Sequence, residues 1–557
     1  MKKIKLLFQQ SVLIVCLLGV TLAHAQNRNR LSVMVQNETF KTVFTPVNLF
    51  KLTTVANAEQ FVNNGTGLTV DATQLGNLFA SKPTAVSLEI PTANGRTFTL
   101  DVVKQNILSN DFKVSTQNQN QVSYTPGVYY RGIIKGDFNS IAAVSIFNDD
   151  VMIMFSNAEG NFNLGKVNNQ HNQYFLYNDH LVVNKPAIDC STTDGDSKSD
   201  ISIEKNGGNT TSSVVCKTVK CYYEADFAMY NAFSSNTTTT SNYVTSIFNV
   251  KSTLYANDGM NIEISEIKVW TATDPYASFT STSTTNNAFI TQTGSTFNGD
   301  MANLLTTRNL GGGIAQGFSG LCNKQQAHCT SMIYTTYSPF PTYSWTVMVI
   351  THEMGHLMGS RHTHACVWNG NNTAIDGCSG FVEGSCTLPG IPSGGGTIMS
   401  YCHQQSVGIN LNLGFGPQPG GLLLNNVNTA TCLTGSGAST PTGLNTTAIT
   451  SSSATLNWNA VSGATQYTVE YKLATASTYT LLGTVTSNSA ALSGLTSSTA
   501  YDWRVSADCS PFSAPATFTT SGLAGCGVPV GLGADNISSS TARIFWSDYV
   551  GAVNYKT

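Results

Sequence analysis

His352-Glu353-Met354-Gly355-His356-Leu357-Met358-Gly359-Ser360-Arg361-His362 is the stretch that decides how this 557-residue chain is read. Two imidazoles four residues apart stand on one face of a helix, so both reach a single metal ion. Gly359 can take a left-handed conformation that ends the helix at little steric cost. The chain then turns back and brings His362 to the metal from the side. Glu353 follows the first histidine and points beside the metal, the place for a general base acting on a metal-activated water. The expected cofactor is one catalytic Zn2+. No dense carboxylate loop stands out, so the sequence is silent on Ca2+.

Outward from this stretch, residues 345–358 read as the helix that carries it. Downstream, Thr397-Ile398-Met399-Ser400-Tyr401 resembles the Met-turn of metzincin zinc metalloproteases, a second signal which implies that Met399 lies in a tight turn under the metal. Upstream, residues 214–223 are strand-like and Asp226 opens a helical stretch. Tyr243, Ile247, Leu254 and Tyr255 keep helical spacing, and Ile262, Ile264, Ile267 and Val269 lie in the strand-like stretch Met260 to Trp270. Gly311-Gly312-Gly313-Ile314-Ala315-Gln316 is glycine-rich and extended.

These motifs resemble the metzincin clan of zinc metalloproteases, and within it the adamalysin/reprolysin (M12B-like) family. Asn261 to Trp270 is similar to that family's second strand. Leu304 to Arg308, through Gly313-Ile314-Ala315 to Cys322, is similar to its edge strand and following cysteine. Tyr130-Arg131-Gly132, Gly136 and Ser140 are similar to its pro-domain. The resemblance covers roughly residues 26–433 and is most specific at the metal site. Thr363 departs from it, because the snake-venom members usually carry Asp after the third histidine; a Thr there is also similar to the pappalysin group. The resemblance implies peptide-bond hydrolysis, with substrate extended along Gly312, Gly313, Ile314 and Ala315. The same glycines also read as a plain turn before a core strand. Tyr401 either donates a hydrogen bond to the oxyanion, as a tyrosine at that place does in astacins and serralysins, or lines the S1′ wall.

Lys2, Lys3 and Lys5, an apolar run from Ser11 to Leu22, and Ala23-His24-Ala25 read as a secretory signal peptide over residues 1–25. Cys16 follows bulky Val15, which argues against lipid attachment. Twelve cysteines remain after that segment, and in an exported chain they read as disulfides. Cys366 with Cys378, and Cys386 with Cys402, are the pairings guessed from proximity. Cys190, just before a polar stretch of Ser, Thr and Gly from Ser191 to Ser213, reads in two ways. As a cysteine switch, its thiolate fills the open metal position until the pro-region is cut away. As a disulfide, it pairs with Cys216 or Cys221. His364 is excluded from the same ion by its spacing. His328 and His403 read as surface groups or as neighbours of the metal ligands, and His171 and His180 as solvated.

Residues 26–205 alternate apolar and polar residues in many short stretches, including a hairpin around Asn148-Asp149-Asp150, and are expected to form a β-rich pro-domain. Residues 206–436 are expected to form an α/β metzincin domain with a mixed sheet and an active-site helix. In the tail, Pro441, Trp458, Gly463 and Tyr467 recur at one constant offset as Pro529, Trp546, Gly551 and Tyr555. With Leu495 to Tyr501 resembling a tyrosine corner, this suggests two all-β fibronectin type III sandwiches at 437–522 and 523–557, the second truncated and joined to the first by a Cys509–Cys526 bridge. A surface-retention domain, if one exists, would lie beyond it.

Charged residues make up 11% of the chain and net charge is −3, with no basic run that would form a nucleic-acid surface. No apolar run after the leader reaches transmembrane length. The expected protein is a secreted zymogen acting on protein or peptide substrates, with cell-surface or matrix contacts through the tail modules. The competing reading is a surface adhesin that uses those modules and carries a catalytically weak zinc domain.

Overall fold

The computed structural model describes residues 29–167, 172–183, 189, 190, 192, 217–334 and 343–433, and, in the C-terminal part, 439–461, 464, 466–476, 479–507, 510–522 and 529–547. The leader, the polar stretch 193–213, Cys216, His171, Cys509 and Cys526 lie outside them, and so do the readings that rest on them. Residues 1–434 and 435–557 are two compact units.

The first unit holds two sheets. The N-terminal sheet has ten strands. The expected hairpin is there as Ile141–Ile146 paired antiparallel with Val151–Asn157. Its apolar side chains form one core, with Leu88, Leu100, Val102, Val144, Ile153 and Phe155 nearly inaccessible to water. Gly132 sits in the middle of the sheet because a Cβ there would lie 2.1 Å from the carbonyl oxygen of Asp101.

The second sheet has seven strands, in the order Asp189–Cys190, Gly312–Ala315, His328–Met332, Met301–Thr306, Thr218–Ala225, Asn261–Val269 and Leu108–Thr116. It is mixed: Gly312–Ala315 runs antiparallel to His328–Met332, while Thr218–Ala225, Asn261–Val269 and Met301–Thr306 pair in parallel. Interior strands of a parallel sheet are covered on both faces, which is why Met301–Thr306 is buried throughout. The stretch Leu304 to Arg308 therefore starts inside the sheet. Within the 301–322 region, only Gly312–Ala315 lies toward its margin.

Helices Thr237–Asn257 and Tyr343–Leu357 pack on this sheet. The first starts where the Asn236 side chain accepts from the backbone N–H of Thr239, and Gly259, at φ +88°, lets the chain turn after it. Tyr243, Ile247, Leu254 and Tyr255 are all buried on it, as their spacing predicts. No helix among the described residues is long and apolar enough to cross a membrane.

The second unit is a β-sandwich. Asn445–Thr447, Ser453–Asn457 and Ser489–Ser493 form one sheet, and Thr480–Val485, Tyr467–Leu473, Ala500–Ala507 and Ala516–Thr519 the other. Leu456, Trp458, Val469, Trp503 and Val505 fill its core. Tyr501 turns the expected corner: its hydroxyl oxygen accepts from the backbone N–H of Thr496 at 3.0 Å. Beyond it, Gly533–Asp535 and Arg543–Phe545 make a two-stranded hairpin.

Candidate metal centre

His352, Glu353 and His356 project from the last two turns of helix Tyr343–Leu357. Gly359 then takes φ +109°. Its N–H donates to the His356 carbonyl at 2.8 Å, and the Ser360 N–H donates to that of Gly355 at 3.0 Å. This wraps the helix end and turns the chain toward His362, as the glycine's position predicts. A side chain at Gly359 would also strike Asn426, whose amide donates to the Met358 carbonyl.

Each histidine is held through its outer nitrogen. Nδ1 of His352 lies 2.7 Å from the Ile398 carbonyl, Nδ1 of His356 lies 2.8 Å from the Ser360 carbonyl, and Nδ1 of His362 lies 2.8 Å from a carboxylate oxygen of Glu383. All three acceptors lack a proton, so each Nδ1 carries the hydrogen and each Nε2 presents a lone pair. Those Nε2 atoms converge, 3.1 Å from His352 to His356 and 3.0 Å from His356 to His362. Burial, then the neighbouring imidazoles, push His352 and His356 well below the ordinary histidine range, so the rings stay neutral. Three buried lone pairs facing one another repel unless an electrophile lies among them. A tetrahedral zinc with three nitrogen ligands sets them about 3.3 Å apart, so the set fits that ion.

The fourth corner is also furnished. Sγ of Cys190 lies 3.7 Å from Nε2 of His356. A zinc-bound thiolate and imidazole nitrogen stand about 3.6 Å apart. Cys190, His352, His356 and His362 form one ligand-competent cluster. Cys190 carries a free thiol, and so does buried Cys221, so the reading of these two as a disulfide is wrong. The Cys221 sulfur instead lies 3.6 Å from the sulfur of Met354. Asp189–Cys190 pairs in parallel with Gly312–Ala315, Asp189 opposite Gly312 and Cys190 opposite Gly313. The Thr192 hydroxyl accepts from the Ala315 N–H at 2.8 Å and donates to Glu353 at 3.3 Å. Tyr401 donates to the Cys190 carbonyl at 2.9 Å, so here its hydroxyl anchors this short strand.

Glu353 is fully buried, and burial pushes its carboxyl up to about 8, against hydrogen bonds with Cys190 and Thr192 that lower it. Gly313 leaves it room: a Cβ there would lie 2.2 Å from Oε1 of Glu353. Met399 is buried against the helix at Gly355, where a Cβ would lie 2.8 Å from the Met399 sulfur.

Glu383 was not singled out by sequence reasoning. It accepts from His362, and its Oε1 is also 3.4 Å from Nε2 of His364, whose ring stacks on His362 with centroids 4.8 Å apart. Burial would raise its pKa, but the hydrogen bonds from His362 and His364 hold it below the usual carboxylate range. Its N–H donates to the His364 carbonyl and its carbonyl accepts from Cys366.

The guessed disulfide pairing is corrected: Cys366 bonds Cys386, Cys378 bonds Cys402, and Cys322 bonds Cys432. Asp376 lies beside the second of these, whose sulfurs are not free to bind metal. His328 is not at the surface either: it is buried between Phe289 and Phe297, and burial lowers it to about 4. His180 lines a cavity of about 100 Å³ with Trp345 and His403.

Residues 215–410 match a reprolysin model described as Metallo-peptidase family M12, and residues 439–519 match the fibronectin type III domain. No curated protein matches the chain. Among solved structures, the chain is similar to the fn3 domain of human contactin 1, at 23% identity over 16% of this chain and 82% of that one, with a TM-score of 0.15. It is also similar to titin domains A168–A170, at 23% identity over 15% of this chain and 32% of that one, with a TM-score of 0.14; the chain thus spans about a third of the titin chain.

Proposed function

We propose that this chain, which joins a reprolysin-like M12 metallopeptidase domain to a fibronectin type III domain, is a secreted, zinc-dependent endopeptidase held latent by its own Cys190 segment. The observation that carries the reading is the convergence of the His352, His356 and His362 Nε2 lone pairs beside buried Glu353. A zinc ion held there supplies a Lewis acid that polarises the scissile carbonyl and acidifies water. Glu353 takes a proton from the attacking water and returns it to the leaving amine. Gly312–Ala315 holds the substrate by main-chain hydrogen bonds once Asp189–Cys190 has left it. Tyr401, freed from the Cys190 carbonyl, can donate to the developing oxyanion. Met399 keeps a dry floor under the ligands.

The direct test incubates processed protein with a denatured protein mixture, with and without a zinc chelator, and reads peptides by mass spectrometry. Chelator-sensitive cleavage is expected. A correctly folded, zinc-loaded and processed protein that cuts nothing would overturn the reading.

Two substitutions probe the geometry. Glu383→Ala is expected to lower zinc affinity about 10–100-fold in competition with a chromophoric chelator, because His362 loses the acceptor that orients it. Glu383→Gln keeps an acceptor and should retain most of the affinity. Gly313→Ala is expected to fold, since the backbone there suits any residue, yet to lose roughly 10²-fold in kcat, because the new methyl displaces the Glu353 carboxylate. Unchanged kcat would show that the carboxylate need not sit where it does.

A further inference from the structure

We propose that the N-terminal ten-stranded sheet is a permanent half of the metallopeptidase unit, so that proteolysis between residues 193 and 217 yields a two-chain protein from whose cleft only the segment around Cys190 departs. The proposal rests on the latency reading of Cys190 given above, and separates two things that a removable pro-domain would combine.

The first support is a shared sheet. Leu108–Thr116 belongs to the N-terminal half but forms the outer strand of the seven-stranded sheet, in parallel with Asn261–Val269, Val114 opposite Ile267 and Thr116 opposite Val269. Side chains reinforce it: Ser115 donates to Glu266 at 2.6 Å, and Lys113 pairs with the same carboxylate at 3.4 Å. Taking the strand away would strip Asn261–Val269 of its pairing on that side and bare its backbone N–H and C=O groups.

The second support is helix Thr237–Asn257, which is buried on every face along residues 243–255. An ordinary surface helix keeps one polar, solvated face. Here the polar face is also covered, by the N-terminal sheet. The Asn249 amide donates to the Val144 carbonyl and the Ser145 hydroxyl, each at 3.1 Å, and buried Arg131 donates to Ser252 at 3.0 Å. Buried polar groups matched this way lose their partners if the halves part. The apolar contacts are continuous as well. Leu31, Val35, Ile107, Val114, Tyr129, Ile133 and Phe147 share one core cluster with Phe248, Ile264 and Met354. An exposed face of that size on a released catalytic fragment would be a hazard to solubility.

The Cys190 segment is held far more lightly. Among the described residues it has two backbone pairings, the hydrogen bond from Tyr401, the two made by Thr192, and its sulfur beside His356. A cut beyond it turns it into a free tail, which can leave while the sheet stays.

The experiment inserts a recognition sequence for a specific protease between residues 200 and 205 of the full chain, cuts it, and follows four readouts. Both fragments are expected to co-elute in native gel filtration where the uncut chain does, and to part only in denaturant. Amide exchange of Ile262 to Val269 should stay as slow as before the cut. Labelling of Cys190 by a maleimide should speed up at least tenfold. Fragments that part without denaturant, or fast exchange at Ile262 to Val269 after the cut, overturn the proposal. If the insertion hinders folding, limited proteolysis of the unaltered chain, with the cut mapped by mass spectrometry, gives the same readouts. Peptidase activity of the cut protein is scored separately. A co-eluting but inactive pair keeps the permanent half and sinks the proposed function; an active, separated fragment does the reverse.

Discussion

Glu353→Ala is expected to bind zinc as the unaltered protein does and to lose roughly 10²–10⁴-fold in kcat/KM, the range in which a general base contributes. The metal should be indifferent because none of the three imidazoles leans on Glu353. Their outer nitrogens are held by Ile398, Ser360 and Glu383. Turnover should collapse because, among the described residues, no carboxylate stands in the Cys190, His352, His356 and His362 cluster to replace it, and Glu383 faces His362 and His364. Glu353→Gln sharpens the test, since it keeps the shape and removes the basicity. Zinc is read by metal analysis after desalting and activity by peptide cleavage on processed protein. Retained turnover in both variants would place the base elsewhere.

The second large effect belongs to Cys190. In the uncut chain, Cys190→Ser is expected to raise peptidase activity at least about tenfold, equivalent to about 1.4 kcal/mol of lost occlusion. A hydroxyl is a poorer ligand than a thiolate for a metal that favours sulfur, and its shorter bond withdraws it from a corner that the sulfur reaches. The backbone pairing with Gly312 and Gly313 and the Tyr401 hydrogen bond survive the change, so it tests the sulfur alone. An uncut serine variant as silent as the parent would mean that the strand, rather than the thiol, closes the cleft. Thr192→Ala would then be the informative partner, because its hydroxyl joins Ala315 to Glu353.

The helix, its glycine stop and the three histidines were legible because helical spacing is a local code: residues four apart share a face whatever else the chain does. The same holds for Tyr243, Ile247, Leu254 and Tyr255, all buried as read. Glu383 was not legible. It reaches His362 across a cross-linked loop, and nothing in its neighbours' spacing announces that contact. The disulfides failed for a related reason. Cys366 skips Cys378 to reach Cys386, and Cys378 skips Cys386 to reach Cys402, so sequence proximity misleads where loops interleave. Leu108–Thr116 alternates like its hairpin neighbours, and only tertiary pairing shows that it serves the other sheet. His328 looked peripheral because a polar residue beside a cysteine gives no sign that two phenylalanines enclose it.

The loop that braces His362 keeps its shape through the Cys366–Cys386 bond, which closes around Glu383, while Cys378–Cys402 ties the adjoining loop to the turn after Met399. Hold on the metal and the oxidation state of the surroundings thus become a single variable. Thiol reductants are expected to weaken zinc binding, because they loosen the loop that holds Glu383 against His362. Under the proposed function, a chain kept reduced would be restrained twice: by the Cys190 sulfur in the cleft, and by the two cross-links it lacks.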